Sequence, residues 1–155
     1  MIQINYTYGD ATNPTSNTKV KIITHICNDM GKWGKGFVLA ISARWKLPEL
    51  SFRNDEINGL GDIQLVKVEP DIYVCNMIAQ HDIKKINNIP PIRYEALREC
   101  LIKLRDIIKS KPWDVSVHMP KIGAGLAGGD WSIIEQIIID ELCDHDVEVN
   151  VYIKE

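Results

Sequence analysis

The sequence predicts an α/β sandwich with a mixed central sheet of about six strands. Three observations carry this. Short segments rich in β-branched residues interleave with amphipathic helical segments. Two neighbouring strand segments are joined by the turn Glu69-Pro70-Asp71, which reads as a hairpin inside an otherwise crossover-connected chain. Two strand ends run into glycine-rich turns that each open onto a helix.

Taken in order, Ile2 to Tyr8 alternates Ile2, Ile4, Tyr6 and Tyr8 with Gln3, Asn5 and Thr7, the pattern of a half-buried strand ending at Gly9. After a loop rich in Asn, Pro, Thr and Ser, Val20 to His25 is a second strand, β-branched enough for a sheet interior. From Phe37 the residues Val38, Leu39, Ile41 and Trp45 read as a helix, with Pro48 ending it or starting a second short one. Asp62 to Val68 and Ile72 to Ile78 form the hairpin. Pro90 and Pro91 lead into a helix with Tyr94, Leu97, Leu101, Leu104 and Ile108 on one face. Val115 to Met119 is a short strand, Trp131 to about Cys143 a helix, and Val147 to Ile153 the last strand.

No linker or repeat divides the 155 residues, so residues 1–155 are expected to be a single domain. The composition, 45% hydrophobic and 25% charged, is that of a globular chain. The formal charge of −3 and the lack of any long basic run make direct nucleic-acid binding unexpected. No apolar run is long enough for a membrane span, and no signal-peptide pattern follows Met1, so a soluble, cytoplasmic protein is expected. Cys27, Cys75, Cys100 and Cys143 lie scattered in apolar segments and read as buried, reduced thiols. Neither they nor the four histidines show metal-ligand spacing, and no metal or cofactor is assigned.

The first glycine-rich turn runs from Asn28 to Gly36, with Gly31, Gly34 and Gly36, and the second from Gly123 to Gly129. Glycine lets backbone N–H groups approach a phosphate and tolerates φ > 0, so two such turns are suited to clasp a pyrophosphate from both sides. Either turn alone would be read as a tight turn. Neither matches a Walker loop or a Rossmann fingerprint, which argues against triphosphate hydrolysis and dinucleotide redox chemistry.

These segments resemble the macrodomain family, which binds ADP-ribose within a three-layer α/β/α sandwich. Gly9-Asp10-Ala11-Thr12 is similar to the family's G-D-x-T turn, which implies that Asp10 accepts a hydrogen bond from the adenine amino group and that Ala11 presents its N–H to the base. Met119 to Leu126 is similar to its M-P-[RK]-I-G-x-G-[LI] phosphate loop, placing Gly123, Ala124, Gly125 and Leu126 around phosphate. His25, Cys27, Asn28, Trp33, Gly34 and Gly36 resemble the H-x-C-N…W-G-x-G segment of yeast-type ADP-ribose-1″-phosphate phosphatases. The resemblance implies ADP-ribose, an ADP-ribose derivative or an ADP-ribosylated macromolecule as the partner. It implies hydrolysis at the distal ribose, with a non-catalytic reader and a de-ADP-ribosylating glycohydrolase as the alternatives. The related terminal ADP-ribose protein glycohydrolases use a lysine and an aspartate where this chain resembles them with Gln80 and Ala127; Lys84, Lys85 and Asp130 are near in sequence.

Several residues carry two readings. His25 is either a hydrogen-bonded core residue in an apolar strand or an acid/base group beside the distal ribose. Asn28 is a turn former or a ribose anchor, since an amide both donates to and accepts from a diol. Trp33, an indole in a turn, would be costly without a partner and is expected to cover the distal ribose. His118 reads as structural, and His81, at a strand end, is left facing the mouth of the site.

Overall fold

The computed structural model describes residues 2–54 and 59–154; Met1 and Glu155, the ends of the expected domain, lie outside them. Strands β1 (Asn5–Tyr8), β2 (Val20–Asn28), β3 (Ile63–Glu69), β4 (Ile72–Gln80), β5 (Val115–Met119) and β6 (Glu148–Ile153) form one sheet in the order β1-β6-β5-β2-β4-β3. Of the pairings between these strands, β3–β4 is antiparallel and the rest are parallel, so the sheet is mixed as the hairpin turn requires. Helices α1 (Phe37–Arg44) and α2 (Leu47–Asn54) follow β2, α3 (Tyr94–Lys109) links β4 to β5, and α4 (Trp131–Glu141) links β5 to β6.

The three layers follow from the strand period of two. Along β2 and β4, Ile22, Cys75, Met77 and Ala79 point into one apolar cluster, which α3 and α4 close with Leu97, Leu101, Leu104, Ile134 and Ile138. The alternate residues Ile23, Val74 and Ile78 enter a second cluster with Val38, Ile41 and Phe52 of α1 and α2. Burial of each such leucine or isoleucine contributes about 1.5–3 kcal/mol. Between α3 and α4, Glu141 accepts hydrogen bonds from Arg98 at 2.6 Å and Arg105 at 2.8 Å. All four cysteines are buried free thiols.

The first strand departs from expectation. It begins at Asn5 rather than Ile2, and all four of its residues are exposed. Alternation reports a two-sided environment, but β1 is the outer edge strand beside β6, and only Ile4, just before it, packs partly on the main cluster. The central strands run further than expected, β2 to Asn28 and β4 to Gln80, while α4 stops at Glu141 and a 3-10 turn covers Cys143–His145.

Because β1, β6, β5, β2 and β4 are parallel neighbours, their carboxyl ends share one edge of the sheet. Along it stand the Gly9–Thr12 turn after β1, the second glycine turn after β5, the first glycine turn after β2, and the segment following Gln80 of β4.

Candidate functional site

A cleft of about 670 Å³ opens on this edge between the two glycine turns. His25, Asn28, Trp33, Gly34, Gly36, Gly123, Gly125 and Leu126 line it, so eight of the expected site residues come together; Asp10, Ala11 and Ala124 are not among its lining.

The glycines divide into two kinds. Gly36 caps α1 at φ 81°, ψ −146°, and Gly123 adopts φ 75° where a Cβ would meet Ile92 at 2.9 Å and Ile26 at 3.0 Å. These two are required by the chain's own backbone and packing. The second turn is tied internally by Gly129 N–H to Gly123 O at 2.7 Å and Gly128 N–H to Gly125 O at 3.0 Å. Gly34 and Gly125 differ: neither has a left-handed φ, and a Cβ on either would meet nothing within 4 Å. The positive φ expected of the phosphate turn therefore falls on Gly123 and Gly128 rather than on Gly125.

Asn28 organises its own turn. Its Oδ1 accepts from the N–H groups of Met30 and Lys32, both at 3.0 Å, and its Nδ2 donates to Lys32 O at 2.9 Å. Both lone pairs are occupied, which leaves one Nδ2 hydrogen to offer a ligand. Trp33 corrects the expectation of an exposed indole: it is 4% exposed, donates Nε1–H to Ser42 Oγ at 2.8 Å, and packs on Phe52. The turn folds back over α1 and α2, so the indole's partner is the core, and only part of it borders the cleft.

His25 forms the floor of the cleft and is 2% exposed, edge-on to Trp33 with ring centres 5.4 Å apart. Its Nε2 lies 2.6 Å from Asn76 Oδ1, and Asn76 Nδ2 donates to Pro48 O and to Gln64 Oε1. The amide orientation makes Oδ1 the acceptor, so Nε2 carries the imidazole proton and Nδ1 is unprotonated, with Cys27 Sγ 3.9 Å away. Burial, partly offset by the Asn76 bond, pushes its pKa down to about 4. His25 is thus neutral at neutral pH with its Nε2 proton committed to Asn76, which makes it a poor general acid. Cys27 beside it is held as a thiol, since burial pushes its pKa well up.

At the other end of the edge, Asp10 Oδ1 accepts from Thr12 N–H at 2.8 Å and Thr12 Oγ1 at 2.7 Å. Burial acts to raise this carboxyl's pKa, but the Thr12 bonds, with Lys154 and Arg44 nearby, hold it below the ordinary range. Ala11 is buried, and Arg44 at the end of α1 ties the turn down through Thr12 O at 2.8 Å.

The glycohydrolase alternative finds no substitute pair among the described residues. Lys84 and Lys85 are exposed and outside the cleft lining, and Asp130 caps α4 by accepting from Ser132 N–H at 2.9 Å and Ser132 Oγ at 2.7 Å. His118 is structural as expected: it is fully buried between Ser116 Oγ and Tyr152 OH, each at 2.7 Å.

Two features escaped the sequence reading. Arg53 joins Lys32, Lys35 and Lys121 in the lining, which among the described residues contains no carboxylate. Its i,i+4 bond to Glu49 at 3.0 Å is visible in the sequence, but its approach to the cleft depends on how α2 packs. The second is a pair formed by Asp29 and His81, 2.7 Å apart, brought together only by strand pairing. Among the described residues, no cluster of three or more His, Cys, Asp or Glu side chains could hold a metal ion, and no helix is long and apolar enough to cross a membrane.

The sheet order, the two facing helical layers and the cleft between paired glycine turns define an α/β/α ligand-binding domain. The chain is 49% identical to a Bacteroides thetaiotaomicron protein of unknown function over 99% of both chains, with a TM-score of 0.93. It is 44% identical to a macrodomain protein from Streptomyces coelicolor, covering 97% of this chain and 99% of that one, with a TM-score of 0.83. The chain belongs to the macrodomain family. Among curated relatives, it is 29% identical over 161 residues to the chromodomain-helicase-DNA-binding protein 1-like of Mus musculus, spanning 96% of this chain but only 17% of that protein. It is 24% identical over 161 residues to an ADP-ribose 1″-phosphate phosphatase of Lodderomyces elongisporus, covering 97% of this chain and 98% of that one. No family model matches the chain.

Proposed function

We propose that this protein is an ADP-ribose-binding macrodomain that hydrolyses a group from the distal ribose, with ADP-ribose 1″-phosphate as the substrate. The observation that carries the reading is the cleft between the glycine turns, lined by Lys32, Lys35, Arg53 and Lys121 and, among the described residues, by no acidic side chain, in a chain whose formal charge is −3. Such a concentration of cations, with backbone N–H groups at the start of α1, suits a diphosphate. The open space at Gly34 and Gly125 is where phosphate oxygens would approach the backbone.

The order of parts along the sheet edge supports the rest of the ligand. Four strand spacings separate β1 from β4, about 19 Å in all. A purine at Asp10, a diphosphate over the two glycine turns and a second sugar toward β4 would occupy that edge in sequence. Asp10 would select adenine through its exocyclic amine, with Ala11 N–H on the ring and Ala124 and Leu126 closing over phosphate. Asn28 would offer its remaining Nδ2 hydrogen to the distal ribose. The full-length likeness to a relative named an ADP-ribose 1″-phosphate phosphatase supports the choice of leaving group. No cofactor is called for, and a cytoplasmic location suits four free thiols.

A second reading, a binding module without turnover, is favoured by the burial and neutral state of His25, the one imidazole among the described residues of the cleft lining. The two are separated by titrating the protein with ADP-ribose calorimetrically and assaying phosphate release from ADP-ribose 1″-phosphate. Binding with release supports the hydrolase, binding without release the module. Absence of binding by folded protein removes both.

A further inference from the structure

Beyond the cleft lining, an acid–imidazole pair stands just past the ends of the two central strands. The β2–β4 ladder closes at Asn28 opposite Gln80, past a register shift after Cys27. Asp29 N–H then donates to Gln80 O at 2.9 Å, which carries the pairing one residue further and sets Asp29 against His81. Asp29 Oδ2 lies 2.7 Å from His81 Nδ1, and Asp29 Oδ1 accepts from Asp82 N–H at 2.9 Å. His81 N–H is fixed by Pro91 O at 2.8 Å. The Asp29 carboxylate is 17% exposed and the imidazole 43% exposed, so the acid is sheltered while the base reaches solvent.

The chemistry follows from the donor inventory. Burial acts to raise the Asp29 pKa, but the bonds from His81 and Asp82 outweigh it and keep the group ionised. A carboxylate only accepts, so the nitrogen facing it, His81 Nδ1, carries a proton, and in the neutral ring Nε2 presents a lone pair. Asn28 and Gln80, which adjoin the pair in sequence, and Ile83, two residues past His81, line the cleft. The pair therefore stands at its β4 end, opposite Asp10, where the distal sugar of the proposed ligand would lie.

We propose that His81, oriented by Asp29, is the general base of a hydrolysis at the distal end of the cleft. This rests on the ADP-ribose reading above. His81 Nε2 takes a proton from water while the water oxygen bonds to phosphorus and the bond from phosphorus to the ribose 1″ oxygen breaks. That oxygen leaves as a hydroxyl by taking the proton back from the imidazolium, and ADP-ribose and inorganic phosphate are released. Asp29 acts as a positioning residue, fixing the tautomer and balancing the transient charge.

The test compares wild type, His81→Ala and Asp29→Asn for ADP-ribose affinity by calorimetry and for phosphate release from ADP-ribose 1″-phosphate. Both variants should bind ADP-ribose within about three-fold of wild type. His81→Ala should lose roughly 10²- to 10⁴-fold in kcat and regain part of it with added imidazole. In Asp29→Asn the new amide can still accept from Asp82 N–H while donating to His81 Nδ1, which reverses the tautomer; kcat should fall with KM unchanged. Imidazole rescue and unchanged affinity distinguish a lost base from a damaged fold. Wild-type turnover in both variants, or binding without any phosphate release by wild type, overturns the dyad and leaves ADP-ribose binding standing. Failure of folded wild type to bind ADP-ribose overturns the reading on which it rests.

Discussion

Leu126 Cδ1 lies 3.2 Å from the position a Cβ would take on Gly36, so the two glycine turns, 90 residues apart, touch across the cleft. Leu126 is 67% exposed, and it spans the gap without filling it. Gly36→Ala should destabilise the protein by about 1–3 kcal/mol, because φ 81° with ψ −146° is closed to a residue with a Cβ. Adding Leu126→Ala removes the contact but not the torsional strain. The double variant should therefore recover little of the lost melting temperature. Substantial recovery in a denaturation scan would mean that crowding, not backbone geometry, requires the glycine.

Gly123 and Gly125 should respond oppositely to valine. At Gly123 the new side chain would face φ 75° and collide with Ile92, Ile26 and Ile134, so Gly123→Val should fail to fold or melt far below wild type. At Gly125 the space is empty and the backbone ordinary. Gly125→Val should melt within a few degrees of wild type yet lose at least ten-fold in ADP-ribose affinity, about 1.4 kcal/mol. Normal binding by this variant, measured calorimetrically, would show that the open space is not a phosphate site.

Asp10 serves its turn and the proposed adenine with the same carboxylate. Both Thr12 bonds use Oδ1. Asp10→Asn retains an oxygen for Thr12 but gives up the charge, whereas Asp10→Ala gives up both. Loss of a charge-assisted bond should weaken ADP-ribose binding by about 1.5–3 kcal/mol in Asp10→Ala. Asp10→Asn should keep wild-type stability and show an intermediate affinity. Equal affinity in all three proteins would remove Asp10 from the ligand site.

Features written in local pattern were legible in the sequence. The face of α3 carrying Leu97, Leu101 and Leu104, the hairpin at Pro70 and the two glycine turns each depend on spacing within a short window. What the sequence hid depends on partners far along the chain. The alternation in β1 looks half-buried until its edge position beside β6 is known. Trp33 reads as an exposed turn residue because nothing local reveals Ser42 and Phe52 beneath it. The amide of Asn28 binds residues only two and four positions away, yet that use competes with the ribose role a motif suggests. Asp29 and His81 meet across 52 positions because the register shift after Cys27 sets Asn28 opposite Gln80 at the ends of β2 and β4.

The buried imidazoles of His25 and His118 make stability depend on pH in a defined direction. Burial is the main cause in both, opposed by the Asn76 bond at His25 and by Glu148 at His118, and it pushes each pKa from 6.5 down to about 4. The native state prefers each ring neutral, while the unfolded chain takes up protons below pH 6.5. Stability should therefore be level above about pH 7 and fall as pH drops from 6.5 toward 4. A difference of this size corresponds to about 3 kcal/mol for His25 once the window is crossed. The lowered carboxyl pKa values of Asp10 and Asp29 act in the same sense at more acidic pH. Urea denaturation between pH 4 and 8 measures the slope directly. His25→Gln, which keeps an amide donor for Asn76 but cannot titrate, should lower the starting stability and flatten its share of the decline. Wild-type stability that stays level from pH 7 to 4.5 would mean these imidazoles accept protons in the native state.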